Sequence, residues 1–330
     1  MGEFDLIERF FKRPARRAVL GIGDDCALLQ SPSGSHMAIS TDMLVQGRHF
    51  FADVDPRSLG HKALAVNLSD LAACGAEPMG FTLALSLSLP HIEERWLAAF
   101  AHGLLTLADS HGCELIGGDT TRGPLNICIT VFGSVPAPAG QNQALLRSGA
   151  HPGDDIYVSG HLGDARLALQ ALQGKLSLPP ALLQATRLRL EEPSPRIALG
   201  LSLRGLASAA IDLSDGLVGD LGHLLKASQV GATLNTEAVL ERLCARTHSD
   251  WAGAGVSHTQ ALHCVLSGGD DYELLFTAPP AARNALLAAA QTSATPVSCI
   301  GRIDDQPGLR LLDAAGAPMP NQFTSFDHFA

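Results

Sequence analysis

The stretch KALAVNLSDLAACGAEPMGFTLALSLSL, residues 62–89, changes its period midway. Leu64, Leu68 and Leu71 recur at helical spacing, so 61–73 reads as a helix that Gly75 and Pro78 stop. From Gly80 to Leu89 the apolar residues fall on every second position, the spacing of a strand. The same mixture runs through the rest of the chain. Strands are expected at 19–23, 37–40, 114–116 and 126–135, with a helix at 93–110. Beyond Pro136-Ala-Pro138-Ala-Gly140, which reads as a linker, strands are expected at 155–159, 209–213, 263–266 and 272–277, and helices at 164–173, 217–227 and 280–290. Phe4, Leu6, Ile7, Phe10 and Phe11 give an amphipathic N-terminal segment, expected to dock on its own domain or on a partner subunit. The fold class is therefore α+β or mixed α/β in two domains, residues 1–138 and 139–330.

Composition narrows the function. The 330 residues carry 33 acids against 23 bases, a formal charge of −10, and 46% are hydrophobic. That is ample material for large cores, and the 5% aromatic content makes those cores aliphatic. An acid excess argues against general nucleic-acid binding, which needs clustered Lys and Arg. No run approaches the ~20 apolar residues that span a bilayer, and the acids Glu3 and Asp5 are unlike a secretory leader. Seven scattered cysteines without a Cys-x-x-Cys fit a reducing cytoplasm.

The acids are not scattered. They stand in GIGDD (21–25), STD (40–42), NLSD (67–70), GGDTT (117–121), DLSDG (212–216) and SGGDDYE (267–273). Each is read as adjoining a strand or, for Asp70, lying inside an apolar helix. Carboxylates beside glycines and hydroxyls suit hard cations such as Mg²⁺, which take oxygen ligands and bring phosphates with them. Any one of these motifs is an ordinary turn or cap. Six in one chain are more, because converging carboxylates are costly without cations between them. Setting aside Asp24, Asp25, Asp42, Asp70, Asp119, Asp212, Asp215, Asp270 and Asp271 leaves 24 acids against 23 bases, so the surplus matches the motifs.

Rival chemistries lack their signatures. There is no Gly-x-x-x-x-Gly-Lys-Ser/Thr loop, no complete dinucleotide fingerprint, no His-Glu-x-x-His and no Gly-x-Ser-x-Gly. An acidic metal site without a P-loop leaves phosphoryl transfer and phosphate hydrolysis open.

The motifs GIGDDCA (21–27), STDMLVQGRHF (40–50), KALAVNLSDLAACGAEP (62–78), LIGGDTTRG (115–123), LLRSGAHPGD (145–154), AIDLSDGLVGDLGHLLKAS (210–228), SGGDDYEL (267–274) and FDHF (326–329) cover nearly the whole chain in order. They resemble closely the thiamine-monophosphate kinase family, within the aminoimidazole-ribonucleotide synthetase-like ATP-using enzymes. The resemblance implies a synthetase-like fold. Its N-terminal sheet domain would bind ATP and Mg²⁺ and form the dimer interface, and a C-terminal α/β sandwich-type domain would complete the nucleotide and substrate site. It also implies ATP as co-substrate, several Mg²⁺ ions, thiamine monophosphate as acceptor and a homodimer.

Carried over by position, Asp25, Ser40, Thr41, Asp42, Asp70, Asp119, Asp212 and Asp215 are the expected metal ligands. Of these, Asp42, Asp70, Asp119 and Asp215 carry catalysis through metal positioning. Gly118, Asp119, Arg147, Ser214 and His111 are expected at the nucleotide, and His49, Asp270 and Phe326 at thiamine. Asp270 replaces the family's usual Glu, and His111 stands where a Tyr is expected. A phosphate monoester has a second pKa near ~6, so the acceptor is already ionised and direct in-line transfer needs no general base.

Overall fold

A computed structural model describes residues 3–23, 26–88 and 91–325. The chain divides into two compact units, residues 1–71 with 76–144 and residues 72–75 with 145–330.

The first unit runs α1 (Glu3–Leu6), a π-helical turn (Ile7–Phe11), β1 (Ser35–Val45), α2 (Pro56–Ala73), β2 (Glu77–Leu87), α3 (Glu94–Ser110), β3 (Glu114–Arg122) and β4 (Asn126–Pro136). Its four-stranded sheet has the order β1-β4-β2-β3, with β2 and β3 parallel and the other pairs antiparallel. Between residues 59 and 72, α2 exposes little on any side, and even Lys62, Asn67 and Ser69 are buried. A helix apolar nearly all round is one that packs on all sides. Two glycines permit its approach to α3. A Cβ on Gly60 would stand 2.1 Å from the Phe100 carbonyl oxygen, and one on Gly103 would stand 1.9 Å from that of Arg57.

The N-terminal segment docks on its own unit. Phe11 is buried edge-on against Phe100, and the Arg13 guanidinium donates to both carboxylate oxygens of Asp109 at 2.9–3.0 Å.

The second unit contains β5 (Asp155–Ser159), α4 (Asp164–Leu172), α5 (Pro180–Glu191), α6 (Ile197–Ser202), β6 (Ala209–Asp212), α7 (Leu217–Ser228), β7 (Gly231–Asn235), α8 (Thr236–Leu240), α9 (His258–Ser267), β8 (Leu274–Ala278), α10 (Arg283–Thr292), β9 (Val297–Asp304), β10 (Gly308–Leu312) and β11 (Pro318–Met319). Its seven-stranded sheet has the order β11-β10-β7-β9-β5-β8-β6. The core is aliphatic: Ile156, Val158, Ile211 and Leu275 from the sheet meet Leu217, Leu221 and Leu224 of α7 and Leu262 and Val265 of α9. Among the described residues, no helix is long and apolar enough to cross a membrane.

The mixed α/β architecture is as expected, but several elements differ. Residues 263–266 lie in α9 rather than a strand. A capping box at Ser257 and Gln260 starts a helix there, and a short apolar run cannot by itself choose between periods. The strand expected from Tyr272 begins at Leu274, because Asp270 (φ 67°) and Tyr272 (φ 50°) have left-handed backbone. Among the described residues, 19–23 form no strand and carry isolated bridge positions, Leu20 paired with Leu28 and a second at Ile22. Conversely, β1 and β3 extend through STD and GGDTT, so these acids stand within strands rather than after them. Both are edge strands, where polar side chains find solvent.

Gly60→Ala should cost about 2–3 kcal/mol, since the overpacked atom meets backbone. Gly222→Ala, in an exposed turn of α7 with nothing within 4 Å of the added carbon, should be neutral or gain about 0.5–1 kcal/mol. Denaturant midpoints of the two variants check this.

Candidate functional site

In the first unit, alternation along β1 sends Ser40 and Asp42 to the face that meets α2. On α2, Asn67 and Asp70 are three residues apart and share a side. The Ser40 hydroxyl donates to the Asp70 carboxylate, and Asn67 Oδ1 accepts the Asp42 amide at 3.1 Å. Asn67 is fixed in turn by donating to the Ala63 carbonyl at 3.0 Å. Burial, then the charge of Asp70 and a hydrogen bond with it, push the Asp42 carboxyl up to about 7. Asp42 is thus partly protonated at neutral pH. The pair's donors are hard oxygens held on two rigid elements, which fits a Mg²⁺-class cation in place of that proton.

The other first-unit candidates lie elsewhere. Strand register aligns Asp119 with Ala84, Cys128 and Met43, whereas Asp42 sits in the next row with Ile129, Leu83 and Gly118. Adjacent rows face opposite sides of a sheet. Thr41 and Asp119 therefore share one face, Ser40 and Asp42 the other. The Thr41 hydroxyl pairs with that of Thr130 at 2.8 Å.

Gly118 and Asp119 line a cleft of about 730 Å³, walled also by Gly21–Gly23 and by Ile7, Phe11 and Lys12 of the N-terminal segment. Gly118 has φ 150°, and a Cβ there would stand 1.9 Å from the Leu83 carbonyl oxygen, so only glycine fits. His111 ends α3 and is not among the described residues that line this cleft. Burial, then the charge of His61, hold its pKa below the ordinary imidazole value. In the turn after β1, His49 Nδ1 accepts the Val45 amide at 3.0 Å.

The second unit ties two acidic stretches together. Asp270 N donates to the Ser214 carbonyl at 2.9 Å, Tyr272 N to that of Leu213 at 2.8 Å, and Leu213 N to that of Glu273 at 2.8 Å. Asp212 ends β6 nearly buried, with Ser214 and Asp215 in the turn that follows. Arg147 is exposed, on a loop whose carbonyl at 147 accepts the Ser228 hydroxyl at 2.9 Å.

Three further acids hold this arrangement, and no role was assigned to them from sequence. Asp220 Oδ2 accepts the amides of Ser214, Asp215 and Gly216, each at 3.1 Å. Burial outweighs those bonds and raises its pKa to about 7. Asp271 accepts Gly163 N at 2.9 and 3.1 Å. Glu273, fully buried, accepts Ser159 Oγ at 2.6 Å, Arg196 Nε at 2.6 Å and an Arg189 amino group at 2.9 Å. The signal for Asp220 was available: an acid in the first turn of a helix, behind a Gly.

Asp25 and Phe326 lie outside the described residues. Among the described residues, no three His, Cys, Asp or Glu side chains converge as a metal cage. The carboxylates gather in pairs and backbone-pinned turns instead.

Family models for AIR synthase related proteins match here, the N-terminal domain over residues 23–135 and the C-terminal domain over 151–314. The thiamine-monophosphate kinase of Salmonella typhimurium is 47% identical over 338 aligned residues, covering 100% of this chain and 98% of that one. The crystal structure of thiamine-monophosphate kinase from Stenotrophomonas maltophilia K279a is 44% identical with a TM-score of 0.80, covering 93% of this chain and 94% of that one. AaThiL, solved in complex with AMPPCP and TMP, is 26% identical with a TM-score of 0.74, covering 91% and 89%. The chain belongs to the thiamine-monophosphate kinase family, among the AIR synthase related proteins.

Proposed function

We propose that this chain transfers the γ-phosphoryl group of ATP to thiamine monophosphate, giving thiamine diphosphate and ADP. The observation that carries this reading is family identity of 47% along the whole chain, together with a relative solved with AMPPCP and TMP. The acidic motifs are present in full, and their oxygens suit the chemistry.

Ser40, Asp42 and Asp70 would hold one Mg²⁺. Asp119 would serve as a ligand at the cleft, and Asp212 and Asp215 in the second unit. Thr41, whose hydroxyl faces Thr130, and Asp25 complete the proposed ligand set. Gly118, Asp119, Arg147, Ser214 and His111 would contact ATP, while His49, Asp270 and Phe326 would hold the thiamine moiety. When bound, Mg²⁺ supplies the positive charge that lets two polyanions meet. The protein's own part is positioning. The acceptor oxygen is already ionised, so no side chain has to take a proton from it, and transfer is in line without a covalent intermediate.

A homodimer is proposed through the exposed face of edge strand β1, where Met37, Ile39 and Met43 are 38%, 60% and 53% exposed. All seven cysteines are free, which accords with a cytoplasmic setting.

Incubation with Mg-ATP and thiamine monophosphate should yield thiamine diphosphate and stoichiometric ADP. Free phosphate without diphosphate product would instead indicate a hydrolase, and overturn the reading. Asp42→Ala should lower turnover by roughly a hundredfold or more, on the scale of removing one electrostatic anchor of a transition state. Near-normal kcat in that variant would count against the metal assignment.

A pH effect follows as well. Asp42 titrates at about 7 in the folded chain against 3.8 in its ordinary state. Without metal, the folded state therefore loses stability as pH rises from about 4 through 7. Asp42→Asn, measured with a chelator present, should melt higher than wild type at pH 8, by roughly 3 °C for each ~1 kcal/mol recovered. The gap should close near pH 4. A gap independent of pH would show that the carboxyl pair is not the cause.

A further inference from the structure

The cleft that contains Gly118 and Asp119 has a feature that the family's motifs do not account for. One of its walls is the N-terminal segment, and that segment brings a cation. Ile7, Phe11, Leu115 and Ile116 make part of the lining apolar, and Gly21–Gly23 and Gly117–Thr120 make another part backbone and hydroxyl. The lining holds two acids, Glu8 and Asp119, and among the described residues Lys12 is its one cation. The ammonium lies beside the glycine turn: a Cβ on Gly23 would stand 3.9 Å from Lys12 Nζ. Lys12 donates to Glu8 at 2.7 Å, an i,i+4 pair with side chains 41% and 67% exposed.

The segment is not loosely placed. Glu114, four residues before Gly118 on β3, accepts three successive backbone amides, those of Arg16, Arg17 and Ala18, at 2.5–3.0 Å. Burial works against the ionised form. The three amides and the Arg16 charge outweigh it and hold the Glu114 carboxyl below its ordinary pKa. The Arg17 guanidinium adds bonds to the Pro78 carbonyl at 2.8 Å and the Gly112 carbonyl at 3.0 Å. Arg13 on Asp109 and Phe11 on Phe100 secure the other end. The chain on both sides of Lys12 is thus fixed to α3 and β3, and Lys12 projects where the glycine turn faces the cleft.

We propose that Lys12 is a nucleotide-binding residue that contacts the polyphosphate of ATP, presented by an N-terminal strap anchored on Glu114. This rests on the reading of the cleft as the ATP site. A polyphosphate entering a space lined by Glu8 and Asp119 meets repulsion, which a cation held by Asp119 would relieve on one side only. Lys12 supplies charge on the other. It exchanges a weak, solvent-exposed pair with Glu8 for a charge-assisted contact with phosphate. Glu8 then acts as a competitor, which reverses the sign expected for its removal.

The test measures KM for ATP, KM for thiamine monophosphate, calorimetric binding of a non-hydrolysable ATP analogue with Mg²⁺, and thermal melting. It compares wild type with Lys12→Gln, Lys12→Arg and Glu8→Gln. Lys12→Gln should raise KM for ATP and weaken analogue binding roughly fivefold to tenfold, the scale of one exposed charge-assisted bond. KM for thiamine monophosphate should not follow. The rise of KM for ATP with ionic strength should flatten in that variant, because a screened contact has gone. Lys12→Arg should restore most of the affinity, and Glu8→Gln should tighten ATP binding by roughly twofold.

Unaltered ATP affinity and salt dependence in Lys12→Gln would overturn the proposal. So would equal rises in both KM values with a lowered melting temperature, which would mark a merely structural residue. If wild type binds the analogue through Lys12 yet makes no thiamine diphosphate, the proposed reaction fails and the Lys12 assignment stands.

Discussion

Two carboxyl groups can stand in contact away from water only if a proton or another cation lies between them. Asp42 and Asp70 are in that position, and much of the first unit is arranged to keep them there. Asp70 sits on a helix buried nearly all round, so it cannot swing away into water. Asp42 sits on an edge strand whose amide is claimed by Asn67, so the strand cannot slide to relieve the contact. Ser40 donates its hydroxyl to the Asp70 carboxylate. A protein that gained nothing from this crowding would replace one acid with an amide. Retaining both costs stability in the absence of a ligand, and that cost makes cation binding favourable.

The second unit handles its acids differently, which separates scaffold from site. Glu273 is fully buried, yet two arginines and Ser159 satisfy it. Loss of both arginines would strand a buried charge, a penalty of about 3–5 kcal/mol. Asp220 and Asp271 are satisfied by backbone amides. These acids shape the turns carrying Ser214, Asp215 and Asp270, and their oxygens are spent on the protein. Left-handed backbone at Asp270 and Tyr272 is held by their amides, which donate to the Ser214 and Leu213 carbonyls, so the scaffold stores the strain at Asp270.

The sequence carried the fold class and the larger elements well, because α3 and the β2 and β4 strands have clean periods set by one buried face. It was misleading where period and position conflict. Residues 263–266 are apolar enough for a strand, but the Ser257 cap six residues before them decides for helix. GIGDD and GGDTT look alike as glycine-acid turns, yet residues 21–23 lie outside any strand while GGDTT lies within an edge strand. Motifs marked which acids matter as a set. They could not give faces, since the side of a sheet occupied by Asp42 or Asp119 depends on register with strands far away in sequence. That is why Asp119 parts from Asp42. It is also why Asp220, an unremarked helix acid, proved to organise a turn that motifs alone had marked.

Net charge can now be read more closely. Nine motif aspartates account numerically for the surplus over 23 bases, but the match is partly coincidence. Asp271 is among the nine, and its carboxylate is taken up by Gly163. Asp220 and Glu273 lie outside the nine and are equally engaged with the fold. The acids offered to ligand are therefore fewer than the surplus. Lys12 belongs to the same accounting. It is a base held in an exposed pair beside a cleft of the opposite need, where exchanging Glu8 for phosphate loses little and neutralises more.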